Sequence, residues 1–249
     1  MLELSRLSRG DPGQPPLIFL HGFLGGKEDW EEILTYFEDR FYCIAFDLPG
    51  HGQSPYSDDM LAAIKQAIKQ NVLSDPIVLG YSMGGRIALR LQDCANAIVA
   101  LSAHPGLITQ QEKDERRQID EKWSQKLREL SFDEFLAEWY TQPIFQTFSQ
   151  DPSLLQTIIK RRMKQDPQTL SRVLMQMSLS DQPHICKFSC PTLFLHGEKD
   201  LKYRQLYSTL PETVTVHSVK NSGHAPHIEN AAECAALINS WIEVVHANS

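Results

Sequence analysis

The 249-residue chain reads as an α/β protein, with a mostly parallel central sheet flanked by helices and a helical cap inserted between its strands. Three observations predict this. Short apolar runs alternate with helix-period segments, the pattern of βαβ units. The alternation lapses between His104 and Ile185, where only helical periodicity with dense charge is found. Finally, Gly80-Tyr81-Ser82-Met83-Gly84 joins an apolar run to a helical pattern, the sequence of a strand, a tight turn and a helix.

Taken in order, the run 17–20 is a first strand, introduced by Pro15-Pro16 and stopped by His21-Gly22. A helix is expected over 28–37. Residues 42–46 form a second strand that ends in the Gly/Pro-rich loop Asp47-Leu48-Pro49-Gly50-His51-Gly52. A helix over 60–70, a strand over 76–79, a helix over 83–92 and a strand over 97–101 follow. Beyond the strandless stretch, strands are expected at 191–195 and 213–216, with helices at 203–209 and 231–246. Residues 1–103 and 186–249 therefore form the α/β core, and 104–185 the cap. Much of the cap's charge, as in Glu112-Lys113-Asp114-Glu115-Arg116-Arg117, is solvated helix surface. Sheet ligands bind beyond the carboxyl ends of the strands, so a cap placed there covers a site.

Composition narrows the function. With 24 Lys+Arg against 31 Asp+Glu the net charge is −7, which excludes the basic surface a nucleic-acid binder or a polybasic membrane protein needs. The five cysteines (Cys43, Cys94, Cys186, Cys190, Cys234) are scattered and odd in number, so no disulfide framework is read. Cys186 and Cys190, with His184 nearby, lack the second pair of a structural zinc site, and no metal is expected. The N-terminus shows no charged-then-apolar signal pattern, and no apolar run approaches the roughly 18 residues of a membrane span. The expectation is a cytoplasmic protein acting on a small molecule; the sequence does not fix its oligomeric state, and a monomer is plausible.

The catalytic reading rests on order and position. In G-x-S-x-G the glycines flank a turn too tight for side chains, which lifts Ser82 Oγ above the sheet at a helix N-terminus. His21-Gly22-Phe23, directly after a strand, offers the Phe23 N–H to an oxyanion hole, and Met83 offers the second donor. The acid and the base should follow the serine along the chain. Asp200, in His196-Gly197-Glu198-Lys199-Asp200 after a strand, is the natural acid, with Glu198 its competitor. His224, in the Gly-containing loop Asn221-Ser222-Gly223-His224, is the base, ahead of His227 and His217. His224 would take the Ser82 proton while Asp200 orients the ring.

Together these residues resemble the α/β-hydrolase fold over nearly the whole chain. A narrower resemblance joins His21-Gly22-Phe23-Leu24-Gly25, the 47–52 loop and the elbow with Arg86, His104-Pro105-Gly106-Leu107, Trp139-Tyr140-Thr141-Gln142-Pro143-Ile144-Phe145 and Gly197-Glu198-Lys199-Asp200. These strings look like the 2-succinyl-6-hydroxy-2,4-cyclohexadiene-1-carboxylate synthase (MenH) family. The resemblance implies a lyase without metal or organic cofactor, which eliminates pyruvate from an enolpyruvyl cyclohexene on the route to menaquinone or phylloquinone. It further implies substrate-binding roles for Tyr81, Arg86, Arg116, Trp139 and Arg162. Arg117 and Arg161 are the one-residue register alternatives.

The implied substrate carries three carboxylates, which the planar fork of arginine matches well. Arg86 follows Ser82 by one helical turn and can face the same space. Eight of the twelve arginines (86, 90, 116, 117, 128, 161, 162, 172) fall between the elbow and the end of the cap. The acidic total therefore conceals a cationic region. Two rivals remain open: a serine esterase or thioesterase working through an acyl-enzyme, and a non-catalytic ligand-binding protein on the same fold.

Overall fold

A computed structural model describes residues 2–247. Seven strands form one sheet in the order β1-β3-β2-β4-β5-β6-β7: β1 (Arg6–Arg9), β2 (Pro16–Leu20), β3 (Tyr42–Phe46), β4 (Ile77–Tyr81), β5 (Ala97–Leu101), β6 (Thr192–Gly197) and β7 (Thr215–Val219). All neighbours are parallel except β1, which pairs antiparallel with β3. The inner strands are buried on both faces, which is why they read as continuous apolar runs. Alternate side chains serve opposite layers. Leu17, Phe19, Leu79, Val99 and Leu193 pack toward α1 (Glu31–Leu34) and α11 (Ala231–Ala247). Ile18, Leu20, Val78, Ile98 and Phe194 pack toward α2 (Met60–Asn71), α3 (Met83–Ala88) and α9 (Leu201–Tyr207).

Several boundaries differ from the sequence reading. β1 was not expected; its residues are mostly exposed and polar, as befits a charged edge strand. The helix expected over 28–37 is a 3-10 turn at Lys27–Trp30, the single helical turn α1, and further turns. Its apolar spacing is used nonetheless, since Trp30, Ile33, Leu34 and Phe37 are all buried. The α3 helix stops at Ala88 and gives way to turns, ending in a 3-10 turn at Gln92–Cys94. β7 begins two residues late because Val214 N–H closes a turn on the Pro211 carbonyl. The α9 helix starts at Leu201, two residues early, because Asp200 caps it through the Tyr203 N–H.

Between β5 and β6 the described chain holds helices and turns only: α4 (Gln110–Glu129), α5 (Phe132–Trp139), α6 (Gln146–Ser149), α7 (Pro152–Arg162) and α8 (Pro167–Gln176). The short α10 (Pro226–Glu229) precedes α11. The insertion is bonded to the loops after β2 and β3. Arg162, at the end of α7, makes a bidentate ion pair with Asp29 at 2.8 and 2.7 Å. Gln165 donates to the Gly25 carbonyl at 2.7 Å and accepts from the Gly52 N–H at 2.7 Å. Gln176 reaches the carbonyls of Ser57 and Asp58. No helix among the described residues is long and apolar enough to cross a membrane.

The Asp29–Arg162 pair is buried on both sides, so removing one partner strands a charge. Arg162→Met is expected to lower unfolding free energy by about 3–5 kcal/mol. Adding Asp29→Asn should recover part of that loss, because no unpaired charge is then left. Thermal or urea melts of the single and double variants check this.

Candidate active site

The turn from β4 into α3 is set by two glycines. A Cβ on Gly80 would lie 2.2 Å from the Gly84 carbonyl oxygen, and one on Gly84 would lie 2.1 Å from the Leu20 carbonyl oxygen. Without those methyl groups the start of α3 sits against the end of β2. Between them Ser82 adopts φ 50° and ψ −109°, a strained backbone for a non-glycine residue.

His224 Nδ1–H donates to Asp200 Oδ2 at 2.8 Å, and Ser82 Oγ lies 3.4 Å from His224 Nε2. His224 and Asp200 are buried. Their two loops are locked back to back: a Cβ on Gly197 would meet the Gly223 oxygen at 2.0 Å, and Lys199 N–H donates to the Ser222 carbonyl at 2.9 Å. Glu198 is turned away, accepting from the Asn221 N–H. His217 is exposed on β7, and His227 is buried against Trp30 and Tyr81.

Phe23 and Met83 border the same space as Ser82. Met83 is the first residue of α3, so its N–H has no acceptor within the helix. The Phe23 N–H belongs to the Gly22–Phe23 peptide, whose carbonyl oxygen accepts from His21 Nδ1–H at 2.7 Å and from the Gly25 N–H at 3.0 Å. Because a trans peptide points its C=O and N–H in opposite directions, holding that oxygen aims the Phe23 N–H. His21 Nε2 in turn accepts from the Leu48 N–H at 2.9 Å, which fixes a neutral ring; burial lowers its pKa.

Ser82, Phe23, Met83 and His224 open onto a chamber of about 420 Å³ between the strand ends and the insertion, within the range of small-molecule sites. Arg86, Arg116 and Lys202 all line it. Arg86 Nη1 donates to the Met177 carbonyl at the end of α8 at 2.9 Å. Burial and the neighbouring Arg116 charge push its pKa down to about 10. Arg116 is held by Asp120, at 2.9 and 2.8 Å. Burial, then Arg116, lowers Lys202. Burial and the charges of Lys202, Arg86 and Arg116 push His104 down to about 4. Mutual repulsion of this kind marks a place for an anion.

Of the residues singled out by sequence, the chamber gathers Ser82, His224, Phe23, Met83, Arg86, Arg116 and Trp139, with Asp200 behind His224. Arg162 is not brought there. Its guanidinium is engaged by Asp29 and by the Tyr140 hydroxyl, so it ties the insertion to the core instead. Tyr81 does not line the chamber either; its ring is buried behind the triad against His224 and His227. The register alternatives point elsewhere, Arg117 to Asp181 and Arg161 to the Glu28 carbonyl. Sequence reading missed Trp123, whose ring meets that of Trp139 at 4.9 Å, and Lys202. The only signal for Lys202 was its place two residues after the acid.

A model described as the alpha/beta hydrolase family matches residues 17–237. The chain is 33% identical over 247 residues to 2-succinyl-6-hydroxy-2,4-cyclohexadiene-1-carboxylate synthase of Citrobacter koseri, an alignment covering 93% of this chain and 95% of that one. Among solved structures, MenH from S. aureus superposes with a TM-score of 0.90 at 24% identity, over 99% of this chain and 100% of that one. A thermophilic esterase from Thermogutta terrifontis superposes with a TM-score of 0.78 at 22% identity, over 98% of this chain and 94% of that one. At these identities the two superpositions speak to fold.

Acid should loosen this region. Burial lowers the pKa of His21 and His51, and that of His227 to about 3. A histidine depressed on folding gives its full stability above the unfolded pKa near 6.5 and loses it as pH falls toward the folded value. The urea midpoint is therefore expected to drop from pH 7 to pH 5. His227 alone contributes a slope of up to about 1.4 kcal/mol per pH unit below the unfolded pKa. His227→Leu should flatten the profile; an unchanged slope would contradict the assignment.

Proposed function

This chain belongs to the alpha/beta hydrolase family and, within it, to the 2-succinyl-6-hydroxy-2,4-cyclohexadiene-1-carboxylate synthases, and on that premise we propose how its own residues carry out pyruvate elimination. The substrate is 2-succinyl-5-enolpyruvyl-6-hydroxy-3-cyclohexene-1-carboxylate, and the product enters the assembly of menaquinone or phylloquinone. One observation carries the reading: the Ser82–His224 pair and three cations, Arg86, Arg116 and Lys202, face a single chamber. An esterase for apolar acyl groups has no use for those charges, whereas a tricarboxylate requires them.

The chemistry is a conjugate elimination. Ser82, relayed by His224, removes the proton from the ring carbon α to the succinyl ketone. Those electrons form a new ring double bond, the existing double bond shifts by one position, and the carbon–oxygen bond to the enolpyruvyl group breaks. The departing enolate gains a proton on carbon and leaves as pyruvate. The Phe23 and Met83 N–H groups receive the enolate-like charge on the ketone oxygen, often a large contribution to catalysis. Asp200 holds the imidazole and stabilises its protonated form. Arg86 and Arg116 bind carboxylates that stay with the ring, and Trp139 lies against it. These steps call for neither a metal nor an organic cofactor. The intact triad also suits acyl transfer, so the esterase reading stays as the alternative.

A lactate-dehydrogenase-coupled assay with the enolpyruvyl substrate decides between them, because ester hydrolysis gives no pyruvate. Ser82→Ala and His224→Ala should each lower kcat by about 10²–10⁴-fold, the usual worth of general-base catalysis. Arg86→Ala should lower kcat/KM by about 10–100-fold, the loss of one charge-assisted hydrogen bond. Near-normal pyruvate release from Ser82→Ala would overturn the mechanism. A fast pre-steady-state burst with p-nitrophenyl esters and no pyruvate would favour the hydrolase.

A further inference from the structure

The chamber does not end at the triad. A second cavity of about 360 Å³ adjoins it, and both are lined by Pro143, Ile144, Lys202 and His224. The outer walls come from residues 143–150 of the insertion and from the loops that carry Asp200 and His224. Lys199 and Lys202 supply its charge, and Asp200 is the one carboxylate on its lining. That carboxylate is already engaged by His224 Nδ1–H and by the Tyr203 N–H. Among the described residues neither lysine has an ion-pair partner.

The three cations of the chamber are not equivalent. Arg86 is anchored to the end of α8 and Arg116 to Asp120 on α4. Both are fixed to the insertion. Lys202 instead rises from the first turn of α9, whose cap is the triad acid itself. It stands at the junction of the two cavities, open to solvent at one side and partly desolvated by the walls at the other. An ammonium on a four-carbon stem, with three rotatable donors, can hold a carboxylate and then let it go more readily than a forked guanidinium can.

We propose that Lys202 is a specificity-determining residue that holds the carboxylate of the expelled enolpyruvyl group, and that the outer cavity is the route by which pyruvate departs. The assignment rests on the lyase reading above and adds a division of labour to it. The arginines keep the carboxylates that remain on the ring, and the lysine takes the one that leaves. Its charge lies beside the enolate as the carbon–oxygen bond breaks, where a nearby cation offsets the developing negative charge. The partial desolvation and the Arg116 charge that lower the Lys202 pKa make an arriving carboxylate the natural counterion.

The test follows formation of the diene chromophore while pyruvate is added as product inhibitor, in the wild type, Lys202→Met and Lys202→Arg. An aromatic dicarboxylate, 2-succinylbenzoate, is the control ligand for the arginines. Lys202→Met is expected to weaken pyruvate inhibition by about tenfold or more and to lower kcat by a similar factor. Lys202→Arg should restore most of both, and inhibition by 2-succinylbenzoate should change by less than about twofold. Unchanged pyruvate inhibition and kcat in Lys202→Met would overturn the proposal, as would equal weakening of both ligands. If the wild type makes no diene, the lyase reading fails. Calorimetric titration of pyruvate into wild type and Lys202→Met then still decides the site: loss of binding supports it, and equal binding overturns it.

Discussion

The site depends on how closely two backbones approach at the carboxyl ends of the central strands. The first turn of α3 rests directly on the Leu20 and His21 carbonyls of β2 and its following loop, with no side chain between them. Only hydrogen atoms on Gly80 and Gly84 permit this. The contact brings Met83 and Phe23, which belong to different elements, to the wall of the same chamber as Ser82. Elsewhere the loops are adjusted to that arrangement. His21 bridges Gly22 to Leu48, and Gly25 folds back onto Gly22. The loops of Asp200 and His224 are clasped by their own backbone contacts across Gly197. The geometry of the candidate site is thus built mainly from main-chain contacts, and the insertion contributes charge and shape above them.

Legibility in the sequence followed burial. Strands β2 to β6 were readable because both of their faces are covered, leaving uninterrupted apolar runs with turn residues at the ends. β1 escaped because an edge strand is polar on purpose, and Arg6-Leu7-Ser8-Arg9 looks like any loop. The spacing of Trp30, Ile33, Leu34 and Phe37 correctly marked one buried face, but periodicity reports which side chains go inward and not which hydrogen bonds hold the chain. Ser82, Asp200 and His224, which the structure brings together, could be singled out because they follow a fixed order after recognisable strands. Arg162 could not, since its partner Asp29 is 133 residues away and no local rule connects them. Lys202 was passed over for a related reason: a lysine at the start of an acidic protein's surface helix is ordinarily solvated.

Net charge and local charge separate cleanly here. A total of −7 governs solubility and the distant field, while the chamber is lined by three cations and a single carboxylate, Asp120, already bound by Arg116 and by the Ser178 hydroxyl. His104, whose pKa is lowered first by burial and then by those same cations, adds no further repulsion to their own. Other acidic residues lie away from the chamber, among them those of surface ion pairs and the Asp29 and Asp47 clamps beneath the loops. Approach of an anion is therefore opposed by the whole molecule at long range and welcomed only at the opening. High ionic strength, which screens the long-range part over roughly 10 Å, leaves the buried part nearly intact.

The backbone of Ser82 has an evolutionary consequence. A non-glycine residue held at φ 50° costs the fold on the order of 1–3 kcal/mol, a standing debt that selection tolerates only while the hydroxyl is useful. In a lineage that no longer needed the reaction, glycine at this position would relieve the strain and be favoured by drift toward stability. Serine in such a tight turn thus has a cost that only a use for its hydroxyl would offset. Among descendants of this chain, the residue at position 82 would be the first place to look for those that had given up chemistry.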